Sequence, residues 1–277
     1  MRLFGMRKTR FMDKTRKAIT ELREMDELAV RSSPIHALSP LAKLLAAVSY
    51  IVIVMSFGKY ALAPLAIMLL YPVVLFQVSG IPVRTCFYKL RIVLPLVLAV
   101  GLFNPIFDRA PMLTLGTIPV SGGVISMLTL MLKGTLCLMA SFLLIATTPI
   151  DALCAALRKL HVPSMLVTLL LLTFRYVGVM TQEVQIMTEA YHLRAPGQKG
   201  IHHSAWGSFL GQLLLRSMDK AQELYYSMQL RGFQGEFPYA RAHFSLRDLL
   251  YPAVCTAIFL VFRFVNIPQL LGSLLVR

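Results

Sequence analysis

The sequence predicts an all-α integral membrane protein with about five transmembrane helices and two long amphipathic helices at the cytoplasmic surface. Hydrophobic residues make up 57% of the 277 residues and charged residues only 15%, whereas a soluble domain carries about 25% charged residues. The mean hydropathy is high, at +0.67. Five segments are apolar enough to cross a bilayer, and two others carry an apolar stripe at helical spacing.

The first 40 residues form a basic segment. They hold nine Lys or Arg and no apolar run as long as the core of a signal peptide. We expect a short helix lying on the membrane surface, because charged residues surround one apolar helical face made of Phe11, Ala18, Leu22, Met25 and Ala29.

The five apolar segments approach the roughly 17–25 residues that a membrane-crossing helix needs. They are Leu41–Phe57, Ala61–Ser79, Ile92–Phe107, Val124–Thr147 and Leu249–Ile267. We expect kinked or broken helices among the first three, because these segments contain or adjoin Pro64, Pro72, Pro95 and Pro105.

The distribution of basic residues orients these segments, because Lys and Arg concentrate on the cytoplasmic side of membrane proteins. The N-terminal segment and the connections at Arg84–Arg91 and Arg158–Lys159 are therefore assigned to the cytoplasm. Gly58–Tyr60 and Pro105–Val120, which carry few charges, are assigned to the outside. The same bias accounts for the net charge of +15, so we expect no nucleic-acid partner.

The segment 163–248 could be read in two ways. Its Leu166–Phe174 stretch is apolar enough for a sixth crossing, but a crossing there would place seven further Lys and Arg outside. We therefore favour two long cytoplasmic helices at about 164–195 and 204–231. The resulting domains are a basic segment 1–40, a four-helix transmembrane part 41–162, the two cytoplasmic helices 163–248, and a last transmembrane helix with the C-terminus 249–277.

Each of the two long helices carries a mainly apolar stripe, spaced alternately three and four residues apart, that continues into an arginine. The first stripe, which leads to Arg194, consists of Val177, Met180, Val184, Met187 and Tyr191. The second, which leads to Arg231, consists of Leu214, Ser217, Ala221, Leu224 and Met228. Each arginine takes a position where a buried residue is expected. Matched arginines at two helix ends favour docking on a partner protein over ordinary helix capping.

The second helix also has a polar face, which is predicted to lie opposite its stripe. This face consists of Gln212, Arg216, Asp219, Lys220 and Glu223. A helix that is polar on one side is amphipathic and is not expected to span a membrane.

Sequence patterns for catalysis and for cofactor or metal binding are absent. There is no phosphate-binding loop of the ATPase type and no His-Glu-x-x-His motif. The pair His202-His203 is interpreted as part of a turn, and the four cysteines as reduced, buried thiols. Asp108 and Asp151 fall in connections, whereas a self-sufficient transporter usually holds carboxylates inside the membrane. We therefore expect no enzyme, no cofactor and no bound metal.

A series of short motifs runs along residues 36–235. In order, they are Leu38-Ser39-Pro40-Leu41-Ala42-Lys43-Leu44, Asn104-Pro105-Ile106-Phe107, Ser121-Gly122-Gly123, Thr147-Thr148-Pro149, the stretch 157–163, and Phe174-Arg175-Tyr176 with Glu183. Together with the two arginine motifs, this order resembles the transmembrane coupling (T) component of energy-coupling-factor transporters, the EcfT family, and most closely its cobalt-type CbiQ branch.

Two positions depart from the pattern of that family. Lys133 stands where many members have arginine, and the first arginine motif reads Leu-Arg-Ala-Pro where Ala-Arg-Gly is more usual. Since that end lacks a glycine, we expect its helix to end differently, stopped by Pro196.

The resemblance implies a non-catalytic subunit of an ATP-driven importer in a prokaryotic plasma membrane. In that family the arginine motifs, here Leu193-Arg194-Ala195 and Leu230-Arg231-Gly232, dock on two ABC-type ATPase subunits, and a separate membrane (S) subunit binds the substrate. It implies cobalt as the cargo, with nickel, biotin or another vitamin as alternatives.

Three other functions remain open at this point. A secondary transporter or channel that works alone would take up substrate without partners. A membrane-bound enzyme would need a convergent polar cluster at one membrane face. A polytopic scaffold would be recognised by its failure to co-purify with ATPase subunits.

Overall fold

A computed structural model describes residues 29, 33–36, 38–91, 93–103, 111–115, 118–196, 198, 200–235 and 246–264. In chain order its helices are α1 (Pro40–Ser56), α2 (Leu62–Ile67), α3 (Leu70–Ser79), α4 (Val83–Leu90), α5 (Leu94–Leu102), α6 (Gly122–Thr147), α7 (Ile150–Lys159), α8 (Ser164–Arg194), α9 (Trp206–Leu230) and α10 (Leu246–Phe264). This confirms the all-α membrane fold class. Of the predicted surface helix in the first 40 residues, Phe11, Ala18, Leu22 and Met25 lie outside the described residues.

A short antiparallel hairpin interrupts the helical pattern. Strand β1 (Pro111–Leu115) pairs with β2 (Ile118–Ser121). The sequence predicts only an outer loop for this stretch. Thr114, Ile118 and Val120 are β-branched, which suits an extended backbone, but the run is too short for its alternation to predict a strand.

Chain contacts divide the protein into two compact units. Among the described residues, the core unit lies within Leu28–Leu153 and Arg241–Arg277, and the two-helix unit lies within Cys154–Ala240.

Three stretches among the described residues are long and apolar enough to cross a membrane: Leu62–Ser79, Gly122–Thr147 and Ser164–Arg194. Shorter apolar helices at Pro40–Ser56 and Leu249–Phe264 coincide with the first and last predicted crossings. The predicted crossing Ile92–Phe107 contains only α5, a helix of nine residues. At ~1.5 Å per residue α5 is about 13 Å long, too short to span a bilayer by itself, and residues 104–107 lie outside the described part.

Side-chain contacts fix the direction of α1 relative to two neighbours in the core unit. The ammonium of Lys43, near the start of α1, donates to the carbonyl of Thr147 at the end of α6 (2.9 Å), so these helices run antiparallel. On the other side, Thr256 of α10 donates to Ser49 of α1 (3.1 Å). A second contact follows seven residues later in both helices, so α1 and α10 run parallel. These relative directions agree with the predicted alternation.

A proline breaks the second predicted crossing. Leu62–Ser79 is divided into α2 and α3 after Met68, four residues before Pro72. Pro72 has no N–H to donate to the Met68 carbonyl, and the buried phenol of Tyr50 donates to that carbonyl from α1 (2.9 Å). The expected break is therefore confirmed, and the freed carbonyl is satisfied by the neighbouring helix together with the N–H of Tyr71 (3.3 Å).

The core of this unit surrounds Tyr50. Its ring lies 4.7 Å from that of Tyr71 and 5.2 Å from that of Phe259, measured between centroids. The buried residues around it include Val54, Leu65, Met68, Leu136 and Ala140. The aromatic contacts therefore join α1, α3 and α10.

The two-helix unit contains the long helices α8 and α9. They have 31 and 25 residues, and a single 3₁₀ turn at His203–Ala205 leads into α9. The helix bounds predicted at 164–195 and 204–231 are confirmed to within two residues.

Candidate functional site

The first candidate residue, Arg194, is the last residue of α8. Ala195 follows in a non-helical conformation (φ −125°, ψ 67°), and its N–H donates to the Tyr191 carbonyl (3.0 Å). Pro196 comes next, and a proline both stops a helix and disfavours the helical conformation of the residue before it. This end therefore has the glycine-free form that the sequence predicted.

The turn after Arg194 is held by the side chain of Tyr191. The Tyr191 phenol donates to Gln198 Oε1 (2.7 Å) and accepts from the backbone N–H of His202 (3.2 Å). Tyr191 was predicted only as a member of the first stripe. Its hydroxyl group, which periodicity does not reveal, connects α8 to the turn before α9.

The second candidate residue, Arg231, caps α9, and the chain leaves this helix through Gly232. Gly232 has φ +74°, a conformation that favours glycine. Its N–H donates to the Gln229 carbonyl (2.9 Å), and that of Phe233 donates to the Met228 carbonyl (3.0 Å). This pair of bonds is a Schellman motif, which satisfies carbonyls that the helix end leaves open.

Both ends present the same pair of side chains to the surface. Leu193 is 84% exposed and Leu230 is 89% exposed, and the arginine that follows each is exposed too. The predicted docking role needs both arginines accessible, and within this chain neither is buried. A nearly fully exposed leucine beside an exposed arginine suits a protein interface, because arginine is enriched among the residues that carry binding energy and exposed apolar surface commonly marks a site of interaction.

The two stripes differ in burial. In the first, Met187 is buried, Met180, Val184 and Tyr191 are half-buried, and Val177 is exposed. In the second, Leu214 is 61% exposed, Ala221 is exposed, and Ser217, Leu224 and Met228 are half-buried. The period shows which face of α9 could be buried, but the chain itself covers little of that face.

Other apolar side chains on α9, which the stripe does not include, are also exposed. They are Leu210, Leu215, Met218, Tyr225 and Tyr226. Contiguous exposed apolar surface commonly marks a site of interaction with protein or lipid. The hydropathy of the sequence could have indicated these residues, but only the structure shows that they are uncovered.

An ion pair connects the two long helices. Arg216 of α9 donates to the Glu183 carboxylate of α8 (2.9 Å), and their side chains are 42% and 18% exposed. Arg216 was predicted to lie on a solvated polar face; in the structure that part of the face meets α8. Lys220 stays at the surface and pairs with Glu223 (3.0 Å) on the same helix, which raises the pKa of Lys220 above its usual value.

Helix α8 changes character along its length. Its first turns carry exposed apolar side chains, among them Met165 at 78% and Leu169 at 58% exposure, whereas Glu183, Glu189 and Arg194 follow in the second half. The helix is long and apolar enough to cross a membrane. The predicted location of α8 at the cytoplasmic surface stays a prediction.

His202 and the four cysteines lie in positions that a structural role explains. The His202 ring accepts from the N–H of Ser204 (3.4 Å) and caps the 3₁₀ turn. All four cysteines are free thiols, of which Cys86 and Cys154 are buried. Burial raises the pKa of the Cys86 thiol to about 11. Within the part of the chain that the structure describes, no three His, Cys, Asp or Glu side chains are grouped as they would be around a metal ion.

Comparison with known proteins assigns the family. Residues 31–241 match the family CbiQ, cobalt transport protein, and this range includes both arginine helix ends. The chain belongs to the CbiQ family. A CbiQ protein is a membrane transport component, typically one part of a multi-subunit transporter, and the family is not known as an enzyme.

Two curated relatives illustrate the range of the CbiQ family. The chain is 32% identical over 119 residues to Nickel permease LarQ of Lactiplantibacillus plantarum, and this match covers 42% of the chain and 44% of the relative. It is 33% identical over 96 residues to Cobalt transport protein CbiQ of Rhodobacter capsulatus, and that match covers 34% of the chain and 38% of the relative. The matches thus span less than half the length of these relatives.

Proposed function

We propose that this CbiQ-family chain is the transmembrane coupling (T) component of an ATP-driven energy-coupling-factor importer. It would link two cytoplasmic ABC-type ATPase subunits to a separate membrane subunit that binds the substrate. The observation that carries this proposal is the pair of exposed Leu-Arg helix ends at Leu193-Arg194 and Leu230-Arg231. Two similar ends on one chain suit two similar partners.

The construction of the two-helix unit supports transmission of force. A docking residue can pass motion on only if its helix resists bending and its orientation is fixed. Arg194 and Arg231 end helices of 31 and 25 residues, and the Glu183–Arg216 ion pair connects those helices. The Tyr191 phenol ties the end of α8 to the connecting turn.

Arginine is the appropriate residue for both ends. Its planar guanidinium keeps its charge when desolvated and offers several N–H donors in a fixed arrangement. Leu193 and Leu230, each beside its arginine, would add apolar contact that excludes water from the charged hydrogen bonds. Ala195 and Gly232 complete the two motifs with small residues that leave the partner room to approach.

We propose a divalent transition metal as the cargo of the transporter, with cobalt first and nickel as the alternative. The names of the matched family and of the two relatives support these metals over biotin or another vitamin. The S subunit would bind the metal, and this chain would not.

The test is a double variant, Arg194→Ala/Arg231→Ala, expressed with the ATPase and S subunits of the same transporter. We expect the variant to reach the membrane at the normal level but to lose the ATPase on co-purification and to lose cobalt uptake by cells. Lys220→Ala is the control, because it removes a surface cation from α9 and breaks only a pair within that helix. A double variant that retained both its ATPase and uptake would refute the docking role.

A second test concerns location. We propose that the N-terminus and the two helix ends face the cytoplasm and that the C-terminus faces outside. In a cysteine-free background, a membrane-impermeant thiol reagent applied to intact cells should label Lys59→Cys but not Gln198→Cys. Labelling of Gln198→Cys from outside would restore a sixth crossing and would contradict the assignment of α8 and α9 to the cytoplasmic surface.

A further inference from the structure

Two cations of the core unit converge on the end of α1. The ammonium of Lys133, in α6, donates to the carbonyls of Phe57 (2.5 Å) and Met55 (3.3 Å). The guanidinium of Arg263, in α10, donates to the carbonyl of Ser56 (3.0 Å) and lies over the Phe57 ring, 4.8 Å from its centroid. The carbonyls of three consecutive residues therefore accept hydrogen bonds from the two cationic side chains.

The position of these carbonyls explains part of the arrangement. The last four carbonyls of a helix have no partner within it. Helix α1 has 17 residues, so at ~1.5 Å per residue it is about 25 Å long. The hydrocarbon core of a bilayer is ~30 Å thick. A helix of this length does not reach water at both ends. At the end that stays within the bilayer, other side chains have to satisfy the free carbonyls.

Among the residues that the structure describes, no carboxylate balances the two cations at this end. A helix C-terminus is equivalent to about half a negative charge, whereas Lys133 and Arg263 together carry two positive charges. Among the described side chains of the core unit the only carboxylate is that of Asp151. Asp151 follows the end of α6 that meets the start of α1, so it lies at the opposite end of α1.

We propose that Lys133 and Arg263 bind the phosphate of a membrane phospholipid at the end of α1. Both side chains are half-buried and therefore within reach of a ligand. The Lys133 ammonium has three N–H donors and uses two of them on carbonyls of α1. The Arg263 guanidinium has five and uses one, so both keep donors for a phosphate.

The surface around the two cations favours a lipid over a dissolved anion. Two apolar side chains that adjoin the site are exposed: Met55, whose carbonyl accepts from Lys133, at 54%, and Phe264, which follows Arg263, at 81%. Acyl chains can cover such a surface while the phosphate satisfies the two charges, and inorganic phosphate can do only the latter. This proposal is independent of the coupling role of α8 and α9.

The test compares lipid binding by the purified full-length chain and by charge-neutral variants. After removal of native lipid, phosphatidylglycerol and phosphatidylcholine are titrated in detergent and bound lipid is measured by native mass spectrometry. The variants are Lys133→Gln, Arg263→Gln and the pair, because glutamine keeps N–H donors for the α1 carbonyls and removes the charge. Lys220→Gln serves as the control in the two-helix unit.

We expect the native chain to prefer phosphatidylglycerol, and the double variant to bind it about tenfold or more weakly, because two charge-assisted contacts are lost. Should the double variant fail to fold, Arg263→Gln and Arg263→Lys carry the test, and only the lysine variant should keep most of the binding. Unchanged phosphatidylglycerol binding in folded variants would overturn the proposal and leave the cations as caps of α1. Equal competition by inorganic phosphate in millimolar amounts would also overturn it, in favour of a dissolved anion.

Discussion

The two arginine ends of this chain present the same exposed pair of side chains but end their helices by different means. At the end of α9, backbone bonds through Gly232 close the helix on itself. At the end of α8, Pro196 stops the helix, and the phenol of Tyr191 holds the turn from one side. One end thus depends on the conformational freedom of a single glycine and the other on one hydroxyl group. The comparison shows that the presented group, and not the local way of ending the helix, is what the two ends share.

The largest expected effect comes from removing the presented group at one end only. At a protein interface, truncating one partner of a buried charge pair costs roughly 2–5 kcal/mol. We therefore expect Arg194→Ala or Arg231→Ala alone to weaken ATPase association strongly, and Arg→Lys to restore little because an ammonium lacks the planar fork. Affinity of the purified chain for its ATPase subunits is the measurement.

The two single variants also test the equivalence of the ends. Similar losses would indicate that each end occupies a similar groove on its own ATPase subunit, and a large difference would indicate that one end dominates. Lys220→Ala should bind as the native chain does. If both single arginine variants also bound normally, the arginines would be ordinary helix-end residues.

The next effect separates the two ways of ending a helix. At φ +74° a residue with a side chain costs about 1–2 kcal/mol more than glycine, and a Cβ added at Gly232 would meet no atom within 4 Å. We therefore expect Gly232→Ala to lower stability by that conformational cost alone and to weaken docking through a displaced Arg231. Thermal unfolding in detergent and ATPase binding measure the two effects.

The matched change at the other end is Ala195→Gly. Ala195 has φ −125°, which any residue adopts, so glycine there brings only the loss of about 0.5–1 kcal/mol that comes from a more flexible unfolded chain. Equal sensitivity of the two ends to their substitutions would contradict the assignment of a left-handed glycine to α9 alone.

A smaller effect is expected from breaking the ion pair that connects the two helices carrying these ends. Glu183 and Arg216 are partly exposed, and such pairs contribute about 1 kcal/mol or less. Glu183→Gln or Arg216→Gln should lower ATPase affinity several-fold by loosening the helix crossing. The exchanged pair Glu183→Arg/Arg216→Glu should recover most of it. Failure of the exchange to recover affinity, with both single variants impaired, would show that the two residues act separately.

Some of this architecture could be predicted because its cause is local. The spacing of apolar residues predicted the extents of α8 and α9 to within two residues, and Pro196 was predicted to stop α8. Hydropathy predicted the stretches Leu62–Ser79 and Gly122–Thr147, and the missing N–H of Pro72 predicted a break. Each of these features depends on neighbours within one or two turns of the same segment.

Other features could not be predicted because their cause lies in another part of the fold. The pairing of Glu183 with Arg216 depends on where two helices meet, which no spacing within either helix encodes. The exposure of Leu214 depends on whether this chain or a partner covers α9. The spacing of apolar residues along the helix is the same in both cases, so it cannot distinguish them. Lys133 and Arg263 lie in apolar segments, and only the packed structure shows that both donate to carbonyls at the end of α1.

The smallest expected effect tests the hydroxyl group on which the α8 end depends. Tyr191→Phe keeps the half-buried ring and removes only the bonds to Gln198 and His202. Both bonds are exposed to water, which can replace them, so we expect a loss of about 0.5 kcal/mol or less in stability. The turn after Arg194 should nevertheless become more mobile, and hydrogen exchange of the backbone amides at 198–202 should become faster while exchange at the Gly232 end stays unchanged. Faster exchange at both ends would mean that Tyr191 supports the whole two-helix unit, and no change at either end would mean that Pro196 alone defines the end of α8.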